Sequence, residues 1–253
     1  MRTMRPFEVG GGRVSYPASG VMLLTLPATP ATRYADAQID NYAGLRRREY
    51  PCTPPLRMRV RAQFSHPADQ LVGTAGFGFW NQPFMPGTLI PRLPRYVWFF
   101  VGTPPHDMAF VQGVPGSGPK AATADFSRLP FLCLAPFAPV GFALMRVPSL
   151  YRALWPVAQW AIGAAEAPLH VDLSQPHDYA LDWQAGRSTF SVDGQVILEA
   201  AFGPRGRLGF VAWIDNQYAV ITPQGRLGFG VRATPYDQWL RLEGLTITTP
   251  DGP

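Results

Sequence analysis

The chain has 253 residues, of which 47% are hydrophobic, and its formal net charge is +5 at pH 7. This apolar content excludes an intrinsically disordered chain, and 28 prolines with 25 glycines favour many short elements joined by turns over long helices. The basic residues are scattered and do not form a stripe interleaved with aromatic residues, so we expect no nucleic-acid partner.

The cysteines and histidines do not have the spacing of a metal site. Cys52 and Cys133 lie far apart in the sequence, and the four histidines are dispersed, so we expect neither a bound metal nor another cofactor. The two cysteines either form one disulfide or remain free, and we expect free thiols. The apolar run Val21–Leu26 is too short and too late for a signal peptide, which makes a cytoplasmic location the expectation.

The first hundred residues contain several predicted strands after a turn-rich start over residues 1–55. Leu56–Phe64 alternates apolar and polar residues, which predicts a strand with one buried face and outward-pointing arginines. Gly73–Trp80 has no charge, and its glycines indicate bulges or the close approach of another strand. Tyr96–Val101 is continuously apolar, as in a strand covered on both faces.

The second half of the chain repeats strand and turn signals at short intervals. Asp193-Gly194, for example, is a hairpin dipeptide. Such spacing is typical of a two-sheet sandwich, so we predict one all-β domain over residues 1–253. The predicted strands here are Asp178–Trp183, Arg187–Val192, Gln195–Ala200, Leu208–Asp215, Arg226–Val231 and Trp239–Thr248.

Residues 130–167 interrupt this pattern with a nearly continuous apolar segment punctuated by prolines. Pro148 fits the first turn of a helix capped near Val147, and Pro156 is expected to start or kink a second piece over residues 157–165. Because Arg146 and Arg152 break the apolar run, we expect no transmembrane span. The segment is therefore interpreted as a helical insertion between strands.

Three roles for this insertion are open. It is a layer packed on one sheet, an interfacial membrane anchor with Arg146 and Arg152 near the headgroups, or a lid over a cleft. A lid would supply side chains to an apolar pocket, with the candidates Phe137, Phe142, Leu150, Trp155 and Trp160.

Several strands resemble those of the laminarinase-type β-glucanases, the family 16 glycoside hydrolases with a concanavalin A-like fold. The resemblance lies in His177-Asp-Tyr-Ala-Leu-Asp-Trp183 followed by Thr189-Phe-Ser-Val-Asp193-Gly194, in Leu56–Phe64 with Thr74–Trp80, and in Trp239–Thr248. It implies a jelly-roll sandwich of two antiparallel sheets with a cleft on its concave face.

The chain departs from that family at the catalytic strand. The family carries an alternating Glu-x-Asp-x-Glu there, and retaining hydrolysis needs two carboxyl groups about 5 Å apart. The corresponding stretch of this chain is Arg95–Val101, which contains no carboxylate. We therefore expect the family's hydrolytic activity to be absent.

The leading functional hypothesis is non-hydrolytic binding of a small molecule, apolar or sugar-like, in a cleft lined by aromatic residues. Rings accompanied by a few polar groups suit a stacked sugar or an apolar ligand anchored at one end. The alternative is that these rings are simply core. The candidate ligand-binding residues are Trp80, Asn81, Tyr96, Trp98, Trp213, Asn216 and Gln217.

Two other functions remain open. An enzyme of another class, a cyclase, isomerase or hydrolase, would use the same cleft with Asp215, Asp107 or His106 as acid or base. Buried carboxyl groups with raised pKa values would favour it, whereas a His106–Asp107 dyad is disfavoured because neighbouring strand residues point to opposite faces. The remaining alternative is a peripheral membrane protein held by residues 130–167.

Overall fold

The computed structural model describes residues 3–83 and 92–250 of the chain. Two antiparallel sheets of seven strands each form the predicted all-β jelly-roll sandwich. The first sheet has the order β1 (Arg5–Val9), β4 (Asp36–Asp40), β13 (Gly209–Asp215), β6 (Thr74–Trp80), β7 (Arg95–Gly102), β8 (Gly118–Asp125), β9 (Ala165–Pro168).

The second sheet consists of strands from both halves of the chain. Its order is β12 (Gln195–Ala200), β11 (Arg187–Val192), β10 (His177–Gln184), β5 (Leu56–Phe64), β16 (Gln238–Thr248), β3 (Val21–Leu26), β2 (Arg13–Ala18). A separate hairpin of β14 (Gln217–Ile221) and β15 (Leu227–Val231) follows β13 in the chain.

The core lies between the two sheets and is built from alternating residues. In β5 the apolar residues are buried and the intervening Arg57, Arg59 and Arg61 are exposed, as the alternation predicts. Aromatic rings join the two sheets: Phe79 of β6 lies 5.4 Å from Trp183 of β10 between ring centroids. Such contacts add to the area burial that holds a sandwich together.

The same alternation turns a second set of side chains away from the core. While Phe77, Phe99 and Ile214 point into the core, their strand neighbours lie on the opposite face of the first sheet, because successive side chains alternate. We call this opposite face the outer face.

Three α-helices lie between β8 and β9 and pack on the outer face. They are α1 (Leu129–Leu134), α2 (Ala138–Met145) and α3 (Pro148–Ala161). Met145 and Trp155 pack with Tyr96 of β7 in a second apolar cluster, and the Trp155 indole donates a hydrogen bond to the Phe110 carbonyl at 3.0 Å. The helices thus cover the β7–β9 part of the outer face.

The helical segment differs from the prediction at its C-terminal end. α3 has Val147 as N-cap and Pro148 in its first turn, as predicted, but it continues through Pro156 to Ala161. A buried Trp155 before the proline and a buried Ala161 after it hold the helix on the sheet despite the lost backbone donor. Gly163, at φ +57°, follows the helix, and residues 165–168 form β9 rather than more helix.

Two further predictions concern the cysteines and membrane crossing. Cys52 is buried and Cys133 is exposed, and both are free thiols, which confirms the prediction. Over residues 3–83 and 92–250, no helix has the length and apolar content that crossing a bilayer requires.

Candidate functional site

A row of aromatic rings runs along β7 on the outer face. Tyr96, Trp98 and Phe100 occupy alternate positions, with ring centroids 4.4 Å and 5.8 Å apart in that order. Trp80 and Trp213 flank Trp98 from β6 and β13 at 5.9 Å and 5.2 Å. Trp80, Trp98, Phe100 and Trp213 are half-buried, and we call these four residues the aromatic platform.

Two glycines of β6 make room for the platform. Gly78 pairs with Trp98, and a Cβ atom on it would lie 2.6 Å from the Cβ of Trp98. Gly76 pairs with Trp213, and its Cβ would lie 2.9 Å from Trp213 Cη2. The glycines therefore serve the close approach of rings from both neighbouring strands.

Hydrogen bonds fix two of the indole rings. Trp213 Nε1 donates to the Thr74 hydroxyl at 3.0 Å, and Trp80 Nε1 donates to the Tyr42 hydroxyl at 2.6 Å. No hydrogen bond leads from the Trp98 indole to another of the described residues. The indole N–H of Trp98 therefore has no hydrogen-bond acceptor among these residues. The Trp98 ring lies at the centre of the platform.

An acidic pair lies at one end of the platform. Asp36 of β4 and Asp215 of β13 are directly opposite each other in the strand register, and both are buried. Burial raises the pKa of Asp215 to about 6, against hydrogen bonds from Thr74 and Gln217 that lower it. Burial and the charge of Asp215 raise the pKa of Asp36 well above its ordinary value. The pair therefore keeps one proton near neutral pH.

The acidic pair was not predicted from the sequence: Asp215, Asp107 or His106 is named there as the acid or base of the cleft, but Asp36 is not. Asp107 instead forms an ion pair with Arg226 at 3.6 Å. Among the described residues, no hydrogen bond or ion pair joins Asp107, His106 and Asp215 to one another. The partner, Asp36, lies nearly two hundred residues earlier in a turn-rich segment, where no local pattern marks it.

His106 continues the aromatic row rather than forming a dyad. Its ring lies 5.0 Å from the Phe100 ring between centroids, and its Nδ1 accepts a hydrogen bond from the Ala219 backbone at 3.2 Å. Burial, with a smaller contribution from the positive charge of Lys120, lowers its pKa to about 4. The imidazole is therefore neutral at physiological pH.

Three of the predicted ligand-binding residues have side chains committed to the fold. Tyr96 is 4% exposed beneath the helices. Asn81 accepts a hydrogen bond from the Arg95 backbone and donates one to the Leu93 carbonyl. Asn216 is fully buried and bonds to three backbone groups, those of Ala35, Arg33 and Arg232. We leave these three out of the proposed binding surface and keep the exposed Gln217 at its edge.

A buried ion pair under the helices also escaped the sequence reasoning. Lys120 Nζ lies 3.6 Å from a Glu166 carboxylate oxygen, and both side chains are 3% exposed. Lys120 also donates to the carbonyls of Met108 and Pro115, so the pair ties the loop after β7 to β8 and β9. One signal was available: Lys120 is the only lysine of the chain, and it stands in a strand of small residues.

The helices place few of the predicted lid residues over the outer face. Trp155 is 9% exposed and packs there, whereas Phe137 is 67% and Trp160 53% exposed. Phe142 is exposed as well. The insertion therefore covers the sheet mainly with Trp155, and three of its six aromatic rings face the outside.

A cavity of about 650 Å³ lies apart from the platform, where β8, α3 and the loop after β12 meet. Arg128 lies within it between two rings, with its guanidinium 5.4 Å from the Trp160 centroid and 4.9 Å from that of Phe202. None of the predicted catalytic or ligand-binding residues lines this cavity, although the lid candidate Trp160 does. Elsewhere in the described ranges, His, Cys, Asp and Glu side chains do not gather in threes as a metal site requires.

Comparison with known proteins yields structural likeness alone. No protein-family model matches the chain, and no curated protein matches it. One similar solved structure is the Emp47p carbohydrate recognition domain, at 10% identity and a TM-score of 0.50 over 97% of this chain and 88% of that one. Another is a GlcNAcα1-4Gal-releasing endo-β-galactosidase from Clostridium perfringens, at 12% identity and a TM-score of 0.52 over 98% of this chain and 58% of that one.

At such identities the likeness establishes the fold. The paired seven-stranded sheets and these two neighbours agree on the architecture predicted from the resemblance. The chain has the concanavalin A-like lectin and glycosidase fold.

Proposed function

We propose that the aromatic platform binds a sugar or sugar-like small molecule and does not hydrolyse it. The observation that carries the proposal is the packing of Trp98 and Trp213 on the bare backbone of Gly78 and Gly76. That arrangement presents flat, half-exposed rings at the centre of a sheet face. Since a fold by itself does not define a function, the proposal rests on this surface.

The polar groups around the platform suit a neutral hydroxylated ligand. The Trp98 indole offers a donor, and Gln38, half-buried, lies directly opposite Trp213 in the register. Gln217 is exposed two residues after Asp215, the last residue of β13. A ring platform with a few directional polar groups at its edge is the composition of many small-molecule sites. One protein of similar fold, Emp47p, uses it as a carbohydrate recognition domain.

The carboxyl groups of the outer face support binding without hydrolysis. Glu166 is buried in its ion pair with Lys120, and Asp40 accepts hydrogen bonds from the backbone of Tyr42 and Ala43. The outer-face positions of β7 hold rings instead of acids. Retaining glycosidases need two carboxyl groups about 5 Å apart at the scissile bond, and Glu166 and Asp40 do not supply such a pair. The Asp36–Asp215 pair is 4% and 7% exposed at the end of the platform, and it is the basis of the second candidate function below.

Isothermal titration with neutral oligosaccharides, GlcNAcα1-4Gal and short glucose oligomers among them, tests the proposal. We expect Trp213→Ala to weaken binding by about tenfold or more, because removing a central aromatic side chain from an interface costs about 2 kcal/mol. Tyr16→Ala is the matched control, since Tyr16 is an exposed aromatic residue of the second sheet. Equal affinities of the two variants, or no binding of any sugar by the folded protein, would rule the proposal out.

A second candidate function, acid–base catalysis, is favoured by one observation. Asp36 and Asp215 form a buried pair with raised pKa values, as expected of catalytic carboxyl groups. Here Asp36 takes the place that the sequence reasoning gave to Asp107 and His106. If mass spectrometry shows a bound oligosaccharide being converted, and Asp215→Asn abolishes conversion while retaining affinity, the platform belongs to an enzyme.

A further inference from the structure

The helix α2 is apolar on every side, yet most of it is uncovered. Ala138–Met145 contains no polar side chain, and Met145 is the residue that is buried. Val140 is 62% exposed, with Phe142 and Leu144 also exposed. A helix that is hydrophobic all round is normally enclosed by protein or by lipid.

The exposed apolar surface continues on both sides of α2. Phe137 precedes the helix, and Val157 and Trp160 of α3 are 55% and 53% exposed. Leu227 and Phe229 of β15 add side chains that are 68% and 64% exposed. We call the surface of α1, α2, α3 and β15 the apolar face. Contiguous exposed apolar side chains of this kind mark sites of contact with a protein or a membrane.

The hairpin and the helices form one continuous surface. Arg146, at the end of α2, donates a hydrogen bond to the Gln224 carbonyl in the β14–β15 turn. A Cβ atom on Gly225 would lie 2.9 Å from the Cβ of Phe142, so the turn touches α2 directly. The apolar face is therefore assembled from two separate segments of the chain.

The charges of the helical segment have one sign. From Phe126 to Ala165 the chain has three arginines, Arg128, Arg146 and Arg152, and no aspartate or glutamate. The hairpin adds Arg226, whose side chain is 72% exposed and lies 3.6 Å from the Asp107 carboxylate. Basic residues beside exposed apolar side chains and a peripheral tryptophan match the headgroup region of an anionic bilayer.

We propose that the apolar face docks the protein on an anionic lipid surface, with α2 lying in the headgroup layer. A second copy of the chain fits less well, because a two-fold contact buries the same basic surface of both copies and residues 126–165 supply no carboxylate to pair with the arginines. The lipid surface instead neutralises them while it takes up the apolar side chains. This inference is independent of sugar binding, since the platform residues lie outside the apolar face.

Vesicle flotation tests the proposal with the full chain and vesicles of phosphatidylcholine with or without phosphatidylserine. We expect flotation that increases with phosphatidylserine and weakens at high salt. Phe137→Glu/Val140→Glu should lower the bound fraction about tenfold or more, because both side chains are exposed and would lose burial in lipid. Val196→Glu is the matched control, since Val196 is 57% exposed on the second sheet.

Three results would overturn the proposal. They are no flotation of the folded protein with either vesicle, equal flotation of the double variant and the Val196 control, and lipid-free dimers in sedimentation velocity that the double variant abolishes. The last result would assign the apolar face to a dimer. Oligosaccharide titration of the double variant separates this proposal from the function of the platform, because its affinity for sugar should be unchanged.

Discussion

Trp213 and Asp215, two residues apart on β13, meet at the hydroxyl of Thr74. That hydroxyl accepts a hydrogen bond from the Trp213 indole at 3.0 Å and donates one to Asp215 Oδ1 at 2.8 Å. The aromatic platform and the acidic pair are therefore parts of one hydrogen-bonded unit. Changes in either part should be measurable in the other.

Asp215→Asn should change the pH dependence of stability. The pKa of Asp215 is about 6 in the folded chain, above its ordinary value of 3.8, so the unfolded state binds fewer protons between these pH values. Its contribution to the free energy of unfolding therefore falls by about 2 kcal/mol from pH 4 to pH 6. In urea titrations, the free energy of unfolding of the variant minus that of the native chain should rise over this range. A difference that is constant with pH would contradict the raised pKa.

His106→Gln should have the opposite effect in nearly the same range. The pKa of His106 is about 4 in the folded chain, below its ordinary value of 6.5, so the unfolded state binds more protons in between. The contribution of His106 to the free energy of unfolding therefore rises by about 3 kcal/mol as the pH increases from 4 to 6.5. The free energy of unfolding of the variant should therefore lack this increase with pH. Direct titration of the His106 ring by NMR gives an independent check: a pKa near 6.5 would refute it.

Lys120→Met should destabilise the protein by about 3–5 kcal/mol, because it leaves the buried Glu166 carboxylate without its partner. The double variant Lys120→Met/Glu166→Gln should recover at least half of that loss. Arg187→Met is the control: it breaks an ion pair with Glu199 of 3.3 Å whose side chains are 59% and 60% exposed, which should cost less than about 1 kcal/mol. Similar losses for the buried and the exposed pair in chemical unfolding would be inconsistent with the burial of Lys120.

Asn216→Ala should cost about 2 kcal/mol or more, because it leaves the buried Ala35 amide and two partly buried carbonyls without their partner. Gln217→Ala, one residue further on, changes an exposed side chain and should stay within about 0.5 kcal/mol of the native stability. Urea unfolding of the two variants compares them directly. An Asn216 variant as stable as the Gln217 variant would mean that Asn216 does not tie these segments together.

Gly76→Ala should disturb the platform. The added Cβ would meet the Phe99 carbonyl oxygen at 2.4 Å and Trp213 Cη2 at 2.9 Å, so β7 or the indole must move, at a cost of about 1–3 kcal/mol. Because Trp213 is displaced, the affinity for sugar should fall as well. Gly228→Ala in β15 is the control, because its nearest contact would be 3.5 Å. If Gly76→Ala leaves the affinity for sugar unchanged, Trp213 is not part of the binding surface.

The sequence predicts the strands whose burial is one-sided and misses those made of small residues. β5, β10 and β11 have strict alternation or a hairpin dipeptide, so their positions follow from local pattern. β8 reads Gly-Pro-Lys-Ala-Ala-Thr-Ala-Asp, which has low intrinsic strand preference. It forms because the helices cover one face and the core the other, a tertiary cause that no local window contains.

Only part of the candidate site can be predicted from the sequence. The rings of β7 and Trp213 follow from period-two geometry, and so does their position on one face. Asp36 does not, because its partnership with Asp215 depends on the pairing of β4 with β13. That pairing joins distant segments, and register across such a distance is set by the whole sheet.

The indole N–H signals in a ¹⁵N–¹H spectrum, recorded while an oligosaccharide is added, test the central claim most directly. The chain has seven tryptophans, each with one such signal. We predict that the signals of Trp98 and Trp213 shift with a common saturable dependence, while that of the fully buried Trp183 does not. Saturable shifts confined to Trp160, or no shift at Trp98 and Trp213 with any sugar, would contradict the proposal that the platform is the binding surface.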